Sequence, residues 1–165
     1  MVVEDESIFH YEVTLKRYWF VKGSKPRTKV TGSKARLCMF GSLTDKGRSQ
    51  CYRQYEKINS ATFIDYTKRL MRRNNKMLYY LDEAPWHRSK KTMVFLKKNK
   101  QRIRVVWFPK GFPESNPVEE TWKQGKYDSK LGAAFHPDFK TFKQAVSRYY
   151  RSKRFHLNVY KYLCR

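Results

Sequence analysis

Five consecutive apolar residues, Met77 to Leu81, run directly into an acid, Asp82. A short apolar run of this kind is typical of a β-strand covered on both faces, as in parallel sheets flanked by helices. A second run, Ile103 to Phe108, follows, and Lys90 to Lys98 between them has helical spacing. The pattern predicts a strand, helix, strand unit whose parallel strands are joined by a right-handed crossover. The polar ends of the two strands would then lie together at one edge of the sheet.

The first third of the chain has the composition of further strands. β-Branched and aromatic residues predict one or two strands within Met1 to Trp19, and one each in Ala35 to Ser42 and Ser49 to Lys57. Gly47 supplies a hairpin turn between the last two. The cationic stretch Lys22 to Lys34, rich in turn formers, is predicted to be a loop.

Three further segments predict helices. Ala61 to Arg73 repeats its apolar residues at helical spacing, with Ser60 as the cap. Phe139 to Tyr150 presents a second apolar face, formed by Phe139, Phe142, Ala145, Val146 and Tyr149. Asn116 followed by Pro117 is typical of a helix start. The face of the first of these helices is expected to bury Phe63, Ile64, Tyr66, Thr67, Leu70 and Met71.

Net charge narrows the class of partner. The chain carries 37 Lys and Arg against 14 Asp and Glu, a formal charge of +23, within 165 residues that suit one domain spanning 1–165. So much positive charge indicates a polyanionic partner, although a ribosomal protein or a membrane-surface binder has a similar composition. We expect a soluble, unexported protein without a membrane partner, because no stretch approaches the roughly 18 apolar residues of a membrane span.

Cysteine usage favours a reducing compartment. Cys38, Cys51 and Cys164 have no CxxC spacing and are odd in number. They therefore predict neither a zinc site nor a disulfide framework.

The few acids are placed informatively. Adjacent acidic pairs occur at Asp5-Glu6, Asp82-Glu83 and Glu119-Glu120: one early, one closing an apolar strand, one opening a helix. Phosphodiester transfer needs charge stabilisation that two divalent ions roughly 3.5 to 4 Å apart provide, and carboxylates are suitable ligands for them. One acid of each pair also has a structural interpretation. Asp5 would be a solvated acid in an N-terminal segment, Asp82 a turn residue after a strand, and Glu119 a capping-box partner.

The motifs around these acids resemble the DDE transposases of bacterial and archaeal insertion sequences related to mariner. The similarity lies in Val2-Val3-Glu4-Asp5-Glu6-Ser7, Asp82-Glu83-Ala84-Pro85-Trp86-His87-Arg88-Ser89-Lys90, Phe108-Pro109 and Ser115-Asn116-Pro117-Val118-Glu119-Glu120-Thr121-Trp122. The resemblance implies an α/β, ribonuclease H-like fold, with a mixed central sheet of about five strands flanked by helices on both faces.

The resemblance also implies the chemistry. In that family, the acids at positions matching Asp5, Asp82 and Glu119 are the catalytic metal ligands for two divalent ions, Mg²⁺ or Mn²⁺. The 36 residues between Asp82 and Glu119 are similar to the family's gap. The implied activity is metal-dependent DNA cleavage and strand transfer. A ribonuclease H-like nuclease without strand transfer, or a non-catalytic DNA-binding remnant of a transposase, remains an alternative.

Several departures from the family pattern affect the expectations. Glu83 replaces the usual Asn, and Lys110 to Glu114 replaces a Pro-rich approach to the third motif. Glu83 would either add a ligand or perturb Asp82 by like-charge repulsion. Family members carry helix-turn-helix domains before the first strand, which we expect to be absent here because Met1 lies four positions before Asp5. A second reading frame, a truncated element and a fragment are all consistent with that.

Other residues are expected near the site or on DNA. The site neighbours are Glu83, His87, Asn116 and Glu120; His87 either contacts DNA or the metal-bound water, or is a packed histidine. Trp86 and Trp122 fit base stacking, but core packing is favoured. The DNA-binding candidates are Lys25, Arg27, Lys29, Lys34, Arg36, Arg88, Lys90, Lys123, Arg148, Arg151, Lys153 and Arg154. The DNA partners would be element ends and target, with a homodimer in a paired-end complex, in the nucleoid-associated cytoplasm of a prokaryote.

Overall fold

A computed structural model describes residues 1–15, 19–25, 27–44, 50–109 and 115–163. Its five strands are β1 (Val2–His10), β2 (Arg36–Thr44), β3 (Gln50–Tyr55), β4 (Met77–Leu81) and β5 (Ile103–Trp107). Its helices are α1 (Ser60–Arg73), α2 (Pro85–Arg88), α3 (Lys90–Lys98), α4 (Pro117–Tyr127), α5 (Phe139–Ser152) and α6 (Val159–Leu163). Within the described ranges, no helix is long and apolar enough to cross a membrane.

The strands form one mixed sheet in the order β3-β2-β1-β4-β5. β1, β2 and β3 pair antiparallel, whereas β1 pairs parallel with β4 and β4 parallel with β5. The predicted strand, helix, strand unit and its parallel pairing are therefore confirmed. Because β1 and β4 run in the same direction, the carboxyl ends of both strands lie at the same edge of the sheet.

Helices cover both faces of the sheet, and neighbouring residues of β1 belong to different cores. Val2 packs with α1 and α3 in one core, while Val3 packs with α4 and α5 in the other. This alternation follows from the two-residue period of a strand. It places Asp5 on the α4 and α5 face, and Glu4 and Glu6 on the α1 to α3 face. The fold is α/β and ribonuclease H-like, as expected.

The N-cap of helix α1 lies one residue earlier than predicted. Asn59, not Ser60, is the N-cap: its side chain accepts from the backbone N–H groups of Ala61 and Thr62, and Thr62 completes a capping box. The Ser60 hydroxyl instead donates to Ser89 Oγ at 2.8 Å. The prediction of Ser60 was wrong because Asn and Ser are equally suitable caps, whereas the six buried residues predicted for this helix are confirmed.

The other predicted elements differ mainly at their ends. α3 matches its prediction, and β2, β3 and β5 shift by one or two residues. In α5 the deeply buried tyrosine is Tyr150 rather than the predicted Tyr149, which is only partly buried. Helix α6 was not predicted.

Some of the predicted features lie outside the described residues: the hairpin turn at Gly47, the segment from Lys110 to Glu114, and Cys164. The other two cysteines, Cys38 and Cys51, are free thiols.

Strand β2 and helix α4 approach each other closely on one side of the core. Gly41 pairs with Asp5 across the β1–β2 ladder, and the indole of Trp122 lies directly over it. A Cβ at Gly41 would stand 2.5 Å from two Trp122 ring carbons. Since real Cβ atoms do not approach carbon so closely, only glycine lets the indole reach the sheet beside Asp5.

Candidate active site

The three predicted metal ligands come from three elements that meet at one edge of the sheet. Asp5 lies in the middle of β1, and Asp82 directly follows β4. Val3 pairs with Tyr80 in the parallel ladder, so Asp5, two residues further on, lies level with Asp82. Glu119 lies in the first turn of α4, the helix that packs on β1.

Asn116 attaches the start of α4 to β1. Its side-chain Nδ2 donates to the backbone oxygen of Glu4 at 3.2 Å, while its Oδ1 accepts from the Val118 N–H at 3.0 Å. Asn116 is buried, so both bonds are shielded from water. The predicted cap is confirmed, and the same side chain fixes where Glu119 stands relative to Asp5.

Asp5 is a buried acid held by one strong hydrogen bond. Trp122 Nε1 donates to Asp5 Oδ2 at 2.7 Å. Burial raises the pKa of Asp5 well above its usual value, and the charges of Glu119 and Glu6 raise it further, against the lowering effect of the Trp122 bond. Asp5 is therefore destabilised as an anion, which is a state that a bound cation would relieve.

Asp82 is oriented by its own turn and by a histidine. Its Oδ1 accepts from the Ala84 N–H at 3.0 Å and lies 2.7 Å from His87 Nδ1. Burial raises the pKa of Asp82, but the bonds from His87 and Ala84 outweigh it, so the net pKa is lowered. Within the described residues Oδ2 makes no hydrogen bond, and the side chain is half exposed. Asp82 is thus both a turn residue and an available ligand.

His87 is buried and links two acids. Its Nδ1 faces only acceptors on Asp82, so it donates, and its Nε2 lies 3.0 Å from Glu6 Oε1. Burial lowers the pKa of His87, but hydrogen bonds to Asp82 and Glu6 and the charge of Glu4 outweigh burial and raise it to about 11. The ring also packs on Phe63, with centroids 4.4 Å apart. His87 is therefore a packed residue that orients Asp82, which agrees with the packed-histidine interpretation left open by the sequence.

The remaining predicted neighbours occupy the rim. Glu83 forms an ion pair with Arg88, whose guanidinium lies 4.0 Å above the Trp107 ring. Glu120 accepts a hydrogen bond from Gln124 along the helix surface.

The two tryptophans were expected to pack in the core rather than to stack on bases. Trp122 lies in the core, whereas Trp86 is half-buried and its indole N–H donates to Glu6 at 2.8 Å.

Sequence reasoning assigned no role to Glu4 or Glu6. Their side chains, with His87, are almost completely buried, and one ligand atom from each lies within 4.8 Å of the others. The signal was present, because alternation along a strand places Glu4 and Glu6 together on the face opposite Asp5. What the sequence could not show was that α2 brings His87 onto that face.

The predicted DNA-binding side chains are all exposed on the described surface. Two of them, Arg151 and Arg154 on and after α5, line a groove of about 640 Å³ beside the edge strand β3. Arg53 of β3 and Arg73 at the end of α1 line the same groove and were not predicted. The four arginines come from three distant parts of the sequence, so only the fold reveals that they form one surface, here called the arginine groove.

A family model of DDE superfamily endonucleases matches residues 1–143. The chain therefore belongs to the DDE superfamily of endonucleases. No curated protein is significantly similar to it in sequence.

Solved structures share its fold at low sequence identity. The mariner Mos1 paired-end complex with Mg matches 98% of this chain and 52% of that one, with a TM-score of 0.72 and 14% identity. The Mos1 strand transfer complex matches 99% and 50%, with a TM-score of 0.66 and 12% identity. The Mos1 catalytic domain with Raltegravir and Mg matches 98% and 77%, with a TM-score of 0.62 and 13% identity. The chain spans about half the length of the first two proteins.

The hydrogen bond between Trp122 and Asp5 gives a testable expectation. Trp122→Phe keeps an aromatic ring but removes the donor, which leaves a buried carboxylate oxygen unpaired. We expect the free energy of unfolding to fall by about 1–3 kcal/mol from the lost bond alone. Urea denaturation followed by fluorescence or circular dichroism measures this. Trp107→Phe, at a half-exposed position, is the control, and equal losses in both variants would contradict a specific role for the bond.

Proposed function

We propose that this chain is the catalytic domain of a cut-and-paste DNA transposase. It would cleave phosphodiester bonds at element ends and join the freed 3′ hydroxyl to target DNA. The observation that carries the proposal is the convergence of Asp5, Asp82 and Glu119 from β1, the end of β4 and the start of α4. Membership of the DDE endonuclease superfamily and the Mos1 likeness support it.

We further propose that Asp5, Asp82 and Glu119 bind two divalent ions, Mg²⁺ or Mn²⁺. The donor set fits, because hard divalent cations prefer carboxylate oxygens and tolerate water and phosphate as further ligands. Bound ions would stabilise negative charge on the attacking and leaving oxygens of the phosphodiester. Two of the three Mos1 structures described above, the paired-end complex and the catalytic domain with Raltegravir, were solved with Mg.

The chain's own residues supply orientation. Trp122 holds one oxygen of Asp5, so the other is directed to the site. His87 and the Ala84 N–H hold Oδ1 of Asp82, which leaves Oδ2 for a ligand role. Asn116 fixes the start of α4 and hence the position of Glu119. Fixing each acid before DNA binds reduces the rearrangement needed in the reaction.

DNA binding is proposed for the basic surface. The arginine groove and the exposed cations between residues 19 and 36 would contact phosphates, which gives affinity without base reading. Arg148 lies beside Arg151 on the same helix face and extends the surface. Lys90 and Lys123 are exposed at the starts of α3 and within α4, near the proposed site.

We also propose a homodimer on paired DNA ends, because joining two ends needs two catalytic sites. Exposed apolar side chains between β1 and β2 suit an interface, since Trp19 and Val21 are more than four-fifths exposed. The single catalytic domain within residues 1–165 and the nucleoid of a prokaryotic cell remain predictions.

The decisive experiment uses supercoiled plasmid with Mn²⁺ and a labelled pre-cut duplex whose sequence comes from the DNA flanking the coding region. We expect nicking and joining by the wild type, and loss of both in Glu119→Gln. Asp128→Asn removes a negative charge from the other end of α4, where Asp128 only caps a turn, and should retain both.

Each other outcome has a clear meaning. Nicking without joining would overturn strand transfer and identify a ribonuclease H-like nuclease. DNA binding that is independent of metal, with no cleavage in any variant, would identify a DNA-binding remnant. Equal activity in wild type and Glu119→Gln would remove Glu119 from the proposed ligand set.

A further inference from the structure

Glu4 is a buried carboxylate without a hydrogen-bond partner. Its side chain is completely buried in the middle of β1, and neither of its carboxylate oxygens has a hydrogen-bond partner among the described residues. Buried polar groups are nearly always paired, so an unpaired one indicates an absent ion or water. Protonation would remove the charge of Glu4 but would leave a hydroxyl donor and a carbonyl acceptor equally unpaired.

The nearest polar atoms form a ligand set around it. His87 Nε2 lies 3.6 Å from Glu4 Oε2 and 3.0 Å from Glu6 Oε1, and one ligand atom from each residue lies within 4.8 Å of the others. Metal–ligand distances of about 2.0–2.2 Å place neighbouring ligand atoms roughly 3.0–3.5 Å apart. The two separations from His87 Nε2 are therefore close to those of a first coordination shell, and the two glutamate oxygens lie within 4.8 Å of each other.

The orientation of His87 is that of a metal-binding histidine. Histidine ligands commonly donate their second ring N–H to a carboxylate, which fixes the tautomer and the ring. Here Nδ1 donates to Asp82 Oδ1 at 2.7 Å, and Nε2 points to the two glutamates. Trp86 Nε1 donates to Glu6 Oε1 at 2.8 Å and also lies 3.1 Å from His87 Nε2, so Glu6 is fixed as well.

We propose that Glu4, Glu6 and His87 form a second metal site that binds one divalent first-row transition-metal ion. The ion would take the place of the proton on His87 Nε2, and the two carboxylates match its charge in this buried position. An imidazole ligand favours Zn²⁺ or Fe²⁺ over Mg²⁺, and the two carboxylates also suit Mn²⁺. The site lies on the α1 to α3 face of β1, whereas Asp5 lies on the opposite face, so the two sites are distinct.

The second site would also stiffen the first. His87 bonds the ion through one ring nitrogen and Asp82 through the other, so the ion, His87 and Asp82 form one chain of contacts. An occupied site would fix the imidazole and with it the direction of Asp82. This structural role does not depend on whether the chain cleaves DNA.

The test is the nitrogen coupling of bound Mn²⁺, measured by electron spin echo modulation on the full chain. The proposed catalytic site has only oxygen ligands, so a histidine nitrogen signal reports the second site alone. We expect ¹⁴N modulation in the wild type, replaced by ¹⁵N modulation after histidine is labelled. The double variant Asp5→Asn, Glu119→Gln should keep the signal, since it removes only ligands of the other site.

Glu4→Gln should lose the signal and weaken this Mn²⁺ binding roughly 10- to 100-fold. Glu56→Gln, which changes an exposed glutamate directly after β3, is the matched control. Bound Mn²⁺ without nitrogen modulation in the labelled and unlabelled wild type would overturn the proposal, even if Glu4→Gln failed to fold. An unchanged signal in folded Glu4→Gln would overturn it too. Plasmid nicking is scored separately, so loss of one property does not imply loss of the other.

Discussion

Asp5→Asn should abolish metal-dependent DNA cleavage while the protein stays folded. Losing a carboxylate ligand removes several kcal/mol of charge stabilisation, which corresponds to a fall of roughly 10³-fold or more in rate. The amide keeps the shape of the side chain and can still accept from Trp122 Nε1. The measurement is the rate of plasmid nicking in Mn²⁺ at saturating protein.

The same variant should be as stable as the wild type or more so in metal-free buffer. Burial and like charges raise the pKa of Asp5 in the folded state. A group with a raised folded-state pKa stabilises the fold at low pH, and that contribution is lost as pH rises through the raised pKa. Since Asn has no such proton, the stability of Asp5→Asn relative to wild type should increase with pH.

Asp65→Asn is the opposite control. Hydrogen bonds from Tyr55 and Arg69 lower the pKa of Asp65, so its contribution is present at neutral pH and is lost as pH falls. We expect Asp65→Asn to lose some stability at neutral pH and to keep its nicking rate. Nicking by Asp5→Asn within a fewfold of wild type would contradict the proposed ligand role.

DNA affinity should fall steeply with salt. A protein that makes 6–10 phosphate contacts loses about 10³- to 10⁵-fold in affinity between roughly 50 and 200 mM salt. The arginine groove and the cations between residues 19 and 36 provide that many positive side chains. Fluorescence anisotropy with a random duplex, repeated over a salt series, gives both the affinity and the slope.

Arg151→Ala combined with Arg154→Ala should reduce the slope by about 1.8, because each lost phosphate contact accounts for about 0.9. The matched control is Lys97→Ala with Lys98→Ala at the end of α3, which removes the same charge from a different part of the surface. A slope that changes equally in both double variants would show that only net charge matters. In that case the groove would not be a DNA surface.

The fold was largely predictable because its signals are local. The run from Met77 to Leu81, the apolar spacing of α1 and the start of α4 at Pro117 each depend on neighbouring residues only, and all three are confirmed. The errors are also local: Asn59 and Ser60 are chemically similar caps, and the burial of Tyr149 and Tyr150 differs by one position.

The site was only partly predictable because its geometry is not local. Motif spacing identified Asp5, Asp82 and Glu119, and the structure places them on converging elements, but no periodicity could indicate the bond from Trp122 to Asp5. Glu4 and Glu6 appeared as ordinary acids until His87 was placed beside them. Arg53 joins Arg154 only because β3 lies at the sheet edge beside the end of α5.

The contact between Gly41 and Trp122 limits which sequences can evolve from this one. Any side chain at position 41 must displace the indole, and any smaller residue at position 122 that makes room also lacks the N–H that holds Asp5. The two positions can therefore change only together, and the joint change still removes the donor to Asp5. Gly41 has no side chain to contact the acids, yet selection on Asp5 should preserve it through this epistasis, so random mutagenesis should recover few active chains altered there.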